Sequence, residues 1–314
     1  MNLLSRMNLK MMTNSNKTLI IITGPTAVGK TTASIEIAKK FNTEIVSADA
    51  RQFYKELSIG TAAPTVEEQS AVKHHFVKHL SIKDYCNAWI YENEAMNLIE
   101  GLFETKDHVV LTGGSGLYID AIRKGIDLIP DVTPKTRKKV KNLYRMEGLP
   151  GIRTTLKKTD PEYYQKVDLA NPNRIMRAIE VYMETGQKLS EFHAKKTIKK
   201  RNFKIKTIIL NRPRQELFDR INQRTVEMIK QGFVEEAWSL FKHRHYNALN
   251  TLGYKELFAF FSNKYSLSLA IEKIKTNTRR YAKRQLTWFK KYDDAYWLHP
   301  DEKEKITNIV VPAD

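Results

Sequence analysis

Leu19-Ile20-Ile21-Ile22 runs through Thr23 into Gly24-Pro25-Thr26-Ala27-Val28-Gly29-Lys30-Thr31-Thr32. The apolar run reads as a buried strand, the glycine-rich run as a loop, and Thr32 to Lys40 as the helix behind it. In that context G-x-x-x-x-G-K-[ST] is a phosphate cradle. Its glycines let the backbone N–H groups of Gly24 and of Thr26 to Thr32 converge on a polyphosphate, and the helix dipole favours the negative charge. Lys30 reaches the outer oxygens, and the Thr31 hydroxyl is placed to face Mg²⁺. The loop alone does not say which phosphate it holds or for what chemistry.

At 314 residues the chain can bury a full core and has room for two domains. A hydrophobic content of 41% with 10% aromatics is ordinary for a globular protein. Cys86, the single cysteine, excludes a disulfide framework or a Cys-rich zinc site and fits a reducing cytoplasm. No apolar run reaches the length of a membrane span. Met1 to Asn16 lacks a signal-peptide pattern and reads as a disordered lead-in. Met7, Met11 and Met12 suggest that translation starts later.

Charge is the second clue. The net charge of +18 suits a protein that grips a polyanion, although a solvated, solubilising surface would also carry charge. Strand-like runs are Thr18–Thr23, Thr43–Ala48, His108–Thr112, Lys204–Leu210 and Ala295–Leu298, with a weaker one at Phe76–Leu80. With helices between them, they predict a mostly parallel sheet covered on both faces. From 123 to 201 no convincing strand appears. Pro130 and Pro134 open this stretch, and Gly148, Asp160-Pro161, Pro172 and Gly186 bound its helices. The division is therefore an α/β core, 17–122 and 202–314, with a helical insertion at 123–201.

Basic residues gather in that insertion: Lys135, Arg137, Lys138, Lys139, Lys141 and Arg145 on one helix, then Arg174 and Arg177 opposite the stripe Ile175, Ile179, Tyr182 and Met183. Lys195, Lys196, Lys199, Lys200 and Arg201 close it. A late helix, Ser268 to Tyr292, has an inner stripe of Ile271, Ile274, Thr278, Ala282, Gln285 and Phe289. Lys273, Arg280, Lys283, Arg284 and Lys291 lie on its other side. Two single-sign faces look like two walls of a nucleic-acid groove.

A motor ATPase would place a carboxylate after its second apolar strand. Here His108–Thr112 runs into Gly113-Gly114-Ser115-Gly116-Leu117-Tyr118, with the Ser115 hydroxyl where that carboxylate is expected. The loop is either an ordinary turn or a second wall of the site. Asp49, at the end of Glu44–Ala48, is the better candidate acid. It either takes a proton from a nucleophile, holds Mg²⁺ through water, or caps the following turn. Arg51 and Gln52 beside it suit phosphate and adenine. Pro213 opens a helix carrying Arg220 and Arg224; Arg224 borders the buried stripe and either makes an internal ion pair or clamps a diphosphate leaving group. His74, His75 and His79 lack metal-ligand spacing and read as structural.

Taken together these motifs resemble the tRNA dimethylallyltransferases, also called tRNA isopentenyltransferases. The likeness rests on GPTAVGKTT at Gly24–Thr32, SADARQFYKELSIGTAAP at Ser47–Pro64 and GGSGLY at Gly113–Tyr118. It continues through NPNRIMRAIEVYMETG at Asn171–Gly186, TLGYKE at Thr251–Glu256 and YAKRQLTWFK at Tyr281–Lys290. The resemblance implies a P-loop kinase-like α/β core. It implies transfer of a prenyl group from dimethylallyl diphosphate to the exocyclic amine of the adenosine immediately 3′ of the anticodon. It makes Asp49 the general base and Lys30, Thr31 and the loop amides the holders of the donor diphosphate and Mg²⁺. Arg224 becomes the diphosphate clamp, with Ser115 beside the reacting groups. Asp49, Ala50, Arg51, Gln52, Ser115, Arg137, Asn173, Arg174, Ile175, Met176, Arg177, Gly253, Tyr254, Lys283, Arg284 and Gln285 would face a tRNA anticodon stem-loop. A cytoplasmic monomer is expected. Ser115 stands where the family usually has Thr, and Ala50 where it commonly has Ser. No zinc-finger extension is expected. A P-loop kinase or adenylate prenyltransferase, and an RNA-binding switch that binds ATP or GTP, are the competing readings.

Overall fold

The computed structural model describes residues 17–194 and 199–311. The lead-in before Lys17, and Lys195 and Lys196, lie outside the described residues. The rest divides into two compact units, one drawn from Met1–Arg123 with Lys200–Asp314 and the other from Lys124–Lys199.

The first unit is built on a six-stranded sheet. Its strands are β1 (Thr18–Thr23), β2 (Ile45–Ser47), β3 (His74–His75), β4 (His108–Gly113), β5 (Lys204–Leu210) and β6 (Ala295–Leu298), in the order β3-β2-β4-β1-β5-β6. Every pairing is parallel, with Ile20 opposite Val110 on one side and Lys206 on the other. β1 is central and buried along its whole length. That is why it reads as a continuous apolar run and not as an alternating strand. Two apolar cores cover the sheet: Leu19 and Ile21 belong to one, Ile20 and Ile22 to the other.

Two strand expectations need correcting. The Thr43–Ala48 run pairs only over Ile45–Ser47. The weak strand expected at Phe76–Leu80 falls instead on His74–His75. Phe76 (φ 59°) and Lys78 (φ 50°) take left-handed backbone that no strand uses, and only Leu80 pairs, with Tyr54. The histidines are structural: His75 meets the Glu44 carboxylate at 2.5 Å, His74 the Val72 carbonyl at 2.7 Å, and His79 packs against Phe53 and Phe76.

The first unit's remaining helices are α1 (Lys30–Lys40), α2 (Val66–Ala71), α3 (Ala88–Phe103) and α4 (Gly116–Lys124). After β5 come α9 (Arg214–Lys230), α10 (Phe233–Leu240), α11 (Tyr254–Phe261), α12 (Leu267–Phe289) and, after β6, α13 (Lys303–Val310). No helix among the described residues is long and apolar enough to cross a membrane.

The second unit holds α5 (Pro134–Thr159), α6 (Pro161–Lys166), α7 (Pro172–Thr185) and α8 (Leu189–Ala194). The punctuation marks in the sequence act as chemistry predicts. Pro161 and Pro172 sit in first turns, Asn171 caps α7, and Gly186 ends it in the left-handed conformation. Gly148 and Pro150 kink α5. Asp160 is fully buried because its carboxylate accepts from the Tyr163 amide, the Ser190 amide and the Ser190 hydroxyl. The inner face of α7 is Ile175, Ala178, Ile179 and Val181. The expected stripe runs too far, since Met183 is half exposed.

Candidate active site

The phosphate loop is held open by its own carbonyls. Gly24 (φ 147°) packs against β5 so closely that a Cβ would lie 2.4 Å from the Leu210 carbonyl oxygen. Ala27 also takes positive φ, at 64°. Lys30 Nζ donates to the carbonyls of Gly24 (3.1 Å) and Pro25 (2.9 Å). Arg220 Nε donates to Ala27 O and Arg212 Nε to Val28 O, both at 2.9 Å. Within the loop the Val28 amide also donates, to Pro25 O at 3.4 Å. Helix α1 starts at Gly29 with no side-chain cap and no acid in its first turn. Its uncapped amides and dipole are therefore available to an anion.

Around this loop lie two adjoining recesses of about 760 and 600 Å³. Lys30, Thr31, Thr32 and Arg220 line the first. Ala50, Arg51, Ser115, Gly253, Arg284 and Trp288 line the second. Asp49, Arg224 and Tyr281 belong to both. Asp49 therefore stands at the seam between a phosphate-binding end and an end lined by aromatic and polar groups.

The electrostatics favour a polyanion. Burial lowers the Lys30 pKa from 10.5 to about 8; Asp49 opposes this shift and Arg224 adds to it. Burial also lowers that of Arg224, again with Asp49 opposing. Arg224 is in no ion pair among the described residues, so the internal-pair alternative is not what the fold builds. Burial and the nearby Asp49 raise the Tyr281 pKa, keeping its phenol neutral.

Asp49 follows β2 by two residues, and one of its carboxylate oxygens accepts from the Arg51 amide at 3.0 Å. The cap is thus real, and it leaves the second oxygen without a hydrogen-bond partner among the described residues. Ser115 Oγ accepts from the Ala50 amide at 3.1 Å, joining the two strand-end loops. Arg51 donates to the carbonyls of Asn247 and Ala248, and Gln52 to those of Thr61 and Ala62. Their side chains already brace the walls.

Three expected RNA contacts are corrected by burial. Ile175 is wholly inside the second unit's core, because it lies on the inner face of α7. Tyr254 is wholly buried, and its hydroxyl donates to Glu236 at 2.6 Å. Gln285 is buried; its oxygen accepts from the Thr26 amide (2.9 Å) and its nitrogen donates to Gly114 O (2.8 Å). It ties the two glycine-rich loops together and also takes the Thr26 amide out of the cradle. Lys283 and Arg284 are exposed on α12, and Asn173 and Arg174 on α7. Met176 is half buried against its own unit's core. Arg177 donates to Pro130 O at 3.1 Å.

Glu236 carries no signal in the sequence. Its carboxylate accepts from the amides of Ser58, Ile59 and Gly60 and from the Tyr254 hydroxyl. It shapes the Ser58–Gly60 turn beside both recesses. Arg212 is equally silent, since one Arg after a strand makes no pattern.

Among the described residues, no group of three or more His, Cys, Asp or Glu could hold a metal alone. Thr31 and Asp49 offer hard oxygens at the loop, a donor set that suits Mg²⁺ shared with phosphate oxygens and water.

A model of the IPP transferase family matches residues 52–292. A tRNA dimethylallyltransferase 1 of Bacteroides fragilis is 48% identical over 294 residues, covering 94% of this chain and 97% of that protein. A tRNA dimethylallyltransferase 2 of Parabacteroides distasonis is 48% identical over 289 residues, covering 92% and 96%. Among solved structures, a tRNA isopentenylpyrophosphate transferase from Bacillus halodurans is 31% identical with a TM-score of 0.68, over 94% of each chain. Crystallographic snapshots of a eukaryotic dimethylallyltransferase acting on tRNA give 28% identity and a TM-score of 0.74, over 90% of this chain and 74% of that one. Sheet and phosphate loop thus define a P-loop-like α/β protein. The chain belongs to the IPP transferase family.

Proposed function

We propose that the chain transfers the dimethylallyl group of dimethylallyl diphosphate to the exocyclic amine of the adenosine immediately 3′ of a tRNA anticodon. The observation that carries this reading is Asp49 at the seam of two recesses, one cationic and amide-lined, the other edged by Arg284 and Trp288. The donor diphosphate lies on the amides of Ala27 and of Gly29 to Thr32, with Lys30 and Arg224 against its oxygens. As the allylic C–O bond breaks, negative charge grows on the departing diphosphate, and two desolvated cations stabilise it where it forms. Adenine's amine is a weak nucleophile because its lone pair is delocalised. The free oxygen of Asp49 takes the amine proton as the new C–N bond forms, worth roughly 10² to 10⁴ in rate. Mg²⁺, held by Thr31 and by Asp49 through water, would neutralise diphosphate charge.

The acceptor base leaves its stack to reach the second recess, at a cost of roughly a few kcal/mol. Cations on α5 and α7, with Lys283 and Arg284 on α12, offset it by binding the RNA backbone.

Incubation with labelled dimethylallyl diphosphate and unmodified tRNA tests this function. Prenylated tRNA is expected. Prenylated free nucleotide, or nucleoside triphosphate hydrolysis without transfer, would support the competing enzyme and switch readings instead.

A further inference from the structure

A third cavity, of about 540 Å³, shares no wall residue with the two recesses. It opens at the carboxyl ends of β5 and β6, where Asn211 and His299 follow the last strand residues and the Asn211 amide donates to Leu298 O at 2.9 Å. Ligands of parallel sheets bind at such ends.

Its walls combine three chemistries. Leu217, Phe218, Leu286 and Trp297 are apolar, and Trp297 remains 39% exposed. Arg214 and Lys283 are exposed cations in no ion pair among the described residues, and the Arg214 guanidinium lies over the Phe218 ring at 5.1 Å. Asn211 carries a buried side-chain oxygen with no hydrogen-bond partner. Such an atom normally has a donor, and a turn about its soft terminal torsion would present it to the cavity.

We propose that this cavity is a second small-molecule site, taking a free mononucleotide whose base carries an amino group. The base lies against Trp297, its amino group donates to Asn211, and its phosphate meets Arg214 and Lys283. The volume lies within the range of small-ligand pockets. The site touches the phosphate loop from behind, because Arg212 lines the cavity and donates to Val28 O. The site shares Lys283 with the proposed tRNA-binding face and is otherwise separate from the residues of the assigned reaction.

Calorimetric titration of the full chain with AMP, and in parallel with adenosine and inorganic phosphate, tests it. AMP is expected to bind more tightly than either fragment. Trp297→Ala and Asn211→Leu should each weaken it by roughly tenfold, the worth of one aromatic stack or one lost buried partner. Trp297→Phe, which keeps a ring, should bind within a few-fold of wild type. Lys30→Ala and saturating dimethylallyl diphosphate should leave AMP affinity in place. The proposal is overturned if AMP does not bind up to about 10 mM, or if phosphate alone binds as well. It also fails if AMP binding is lost in Lys30→Ala or competes with the prenyl donor, for AMP would then occupy the phosphate loop.

Discussion

Replacing Lys30 with Met removes a charge that the ligand-free fold carries at a cost. The ammonium is desolvated, and two carbonyls and Asp49 compensate it only in part, so its pKa falls from 10.5 to about 8. A shift of that size is worth roughly 3 kcal/mol. Between these two values the unfolded chain keeps the proton and the folded chain loses it. Stability from this group therefore rises with pH across the window. It is present in full above the unfolded pKa and lost as pH falls through about 8. Met has a similar length and no charge, so the variant escapes the penalty at every pH.

Urea denaturation of ligand-free wild type and Lys30→Met, at steps from neutral pH to about pH 10, reads this directly; subtracting the curves cancels the other titrating groups. The variant should be more stable near neutrality by roughly 2–3 kcal/mol. The gap should close by about 1.4 kcal/mol per pH unit above pH 8. The same variant should bind dimethylallyl diphosphate at least roughly a hundredfold more weakly, since charge-assisted bonds to the anion are gone. A stability gap that does not change with pH, or a variant less stable throughout, would refute the idea that the site holds a penalised charge for its substrate to discharge.

Asp49→Asn keeps size and the cap on the Arg51 amide but cannot act as a base. Single-turnover prenyl transfer should fall roughly 10²-fold or more with tRNA affinity within a few-fold; a near-normal rate with weak tRNA binding would make Asp49 a recognition residue. Glu236→Gln leaves a neutral amide facing three N–H donors, and denaturation should show a loss of about 3 kcal/mol, whereas an unchanged midpoint would mean the Ser58–Gly60 turn needs no carboxylate. Alanine at Arg137, Arg174 and Arg177 should weaken tRNA binding and reduce its salt slope by roughly 1 for each phosphate no longer neutralised, with donor binding intact. An unaltered slope returns them to the solvated surface.

Local chemistry makes most of the fold legible. β1 announces itself because a central parallel strand is apolar on both faces, and the insertion helices because Asp160, Pro172 and Gly186 act through nearest-neighbour geometry. β3 lies off the expected run because His74 and His75 carry no apolar signal, while Phe76 and Leu80 do but sit on left-handed or isolated backbone. At the site, Lys30, Asp49 and Arg224 come from distant segments to line one recess. Glu236 and Arg212 are illegible in the sequence because each serves backbone groups far along the chain. No spacing rule encodes which carbonyl or amide a lone side chain will meet.

The fate of Gln285 shows why a family motif cannot be carried to function residue by residue. It stands in the run Tyr281–Lys290 between Arg284 and Leu286, and helical spacing puts consecutive residues about 100° apart. Lys283 and Arg284 face solvent, where a polyanion can meet them, while Gln285 faces inward. Its carboxamide has one acceptor and one donor end, and each is spent on a different glycine-rich loop. A Cβ on Gly114 would lie 2.4 Å from Gln285 Nε2, so glycine and glutamine fit as a pair. Loss of either would leave buried polar groups unpaired, a cost of roughly 1–3 kcal/mol, and would loosen both loops at once. One helix therefore does two jobs a third of a turn apart: its outer face presents charge to solvent, and its inner face fixes the distance between phosphate loop and Ser115 loop.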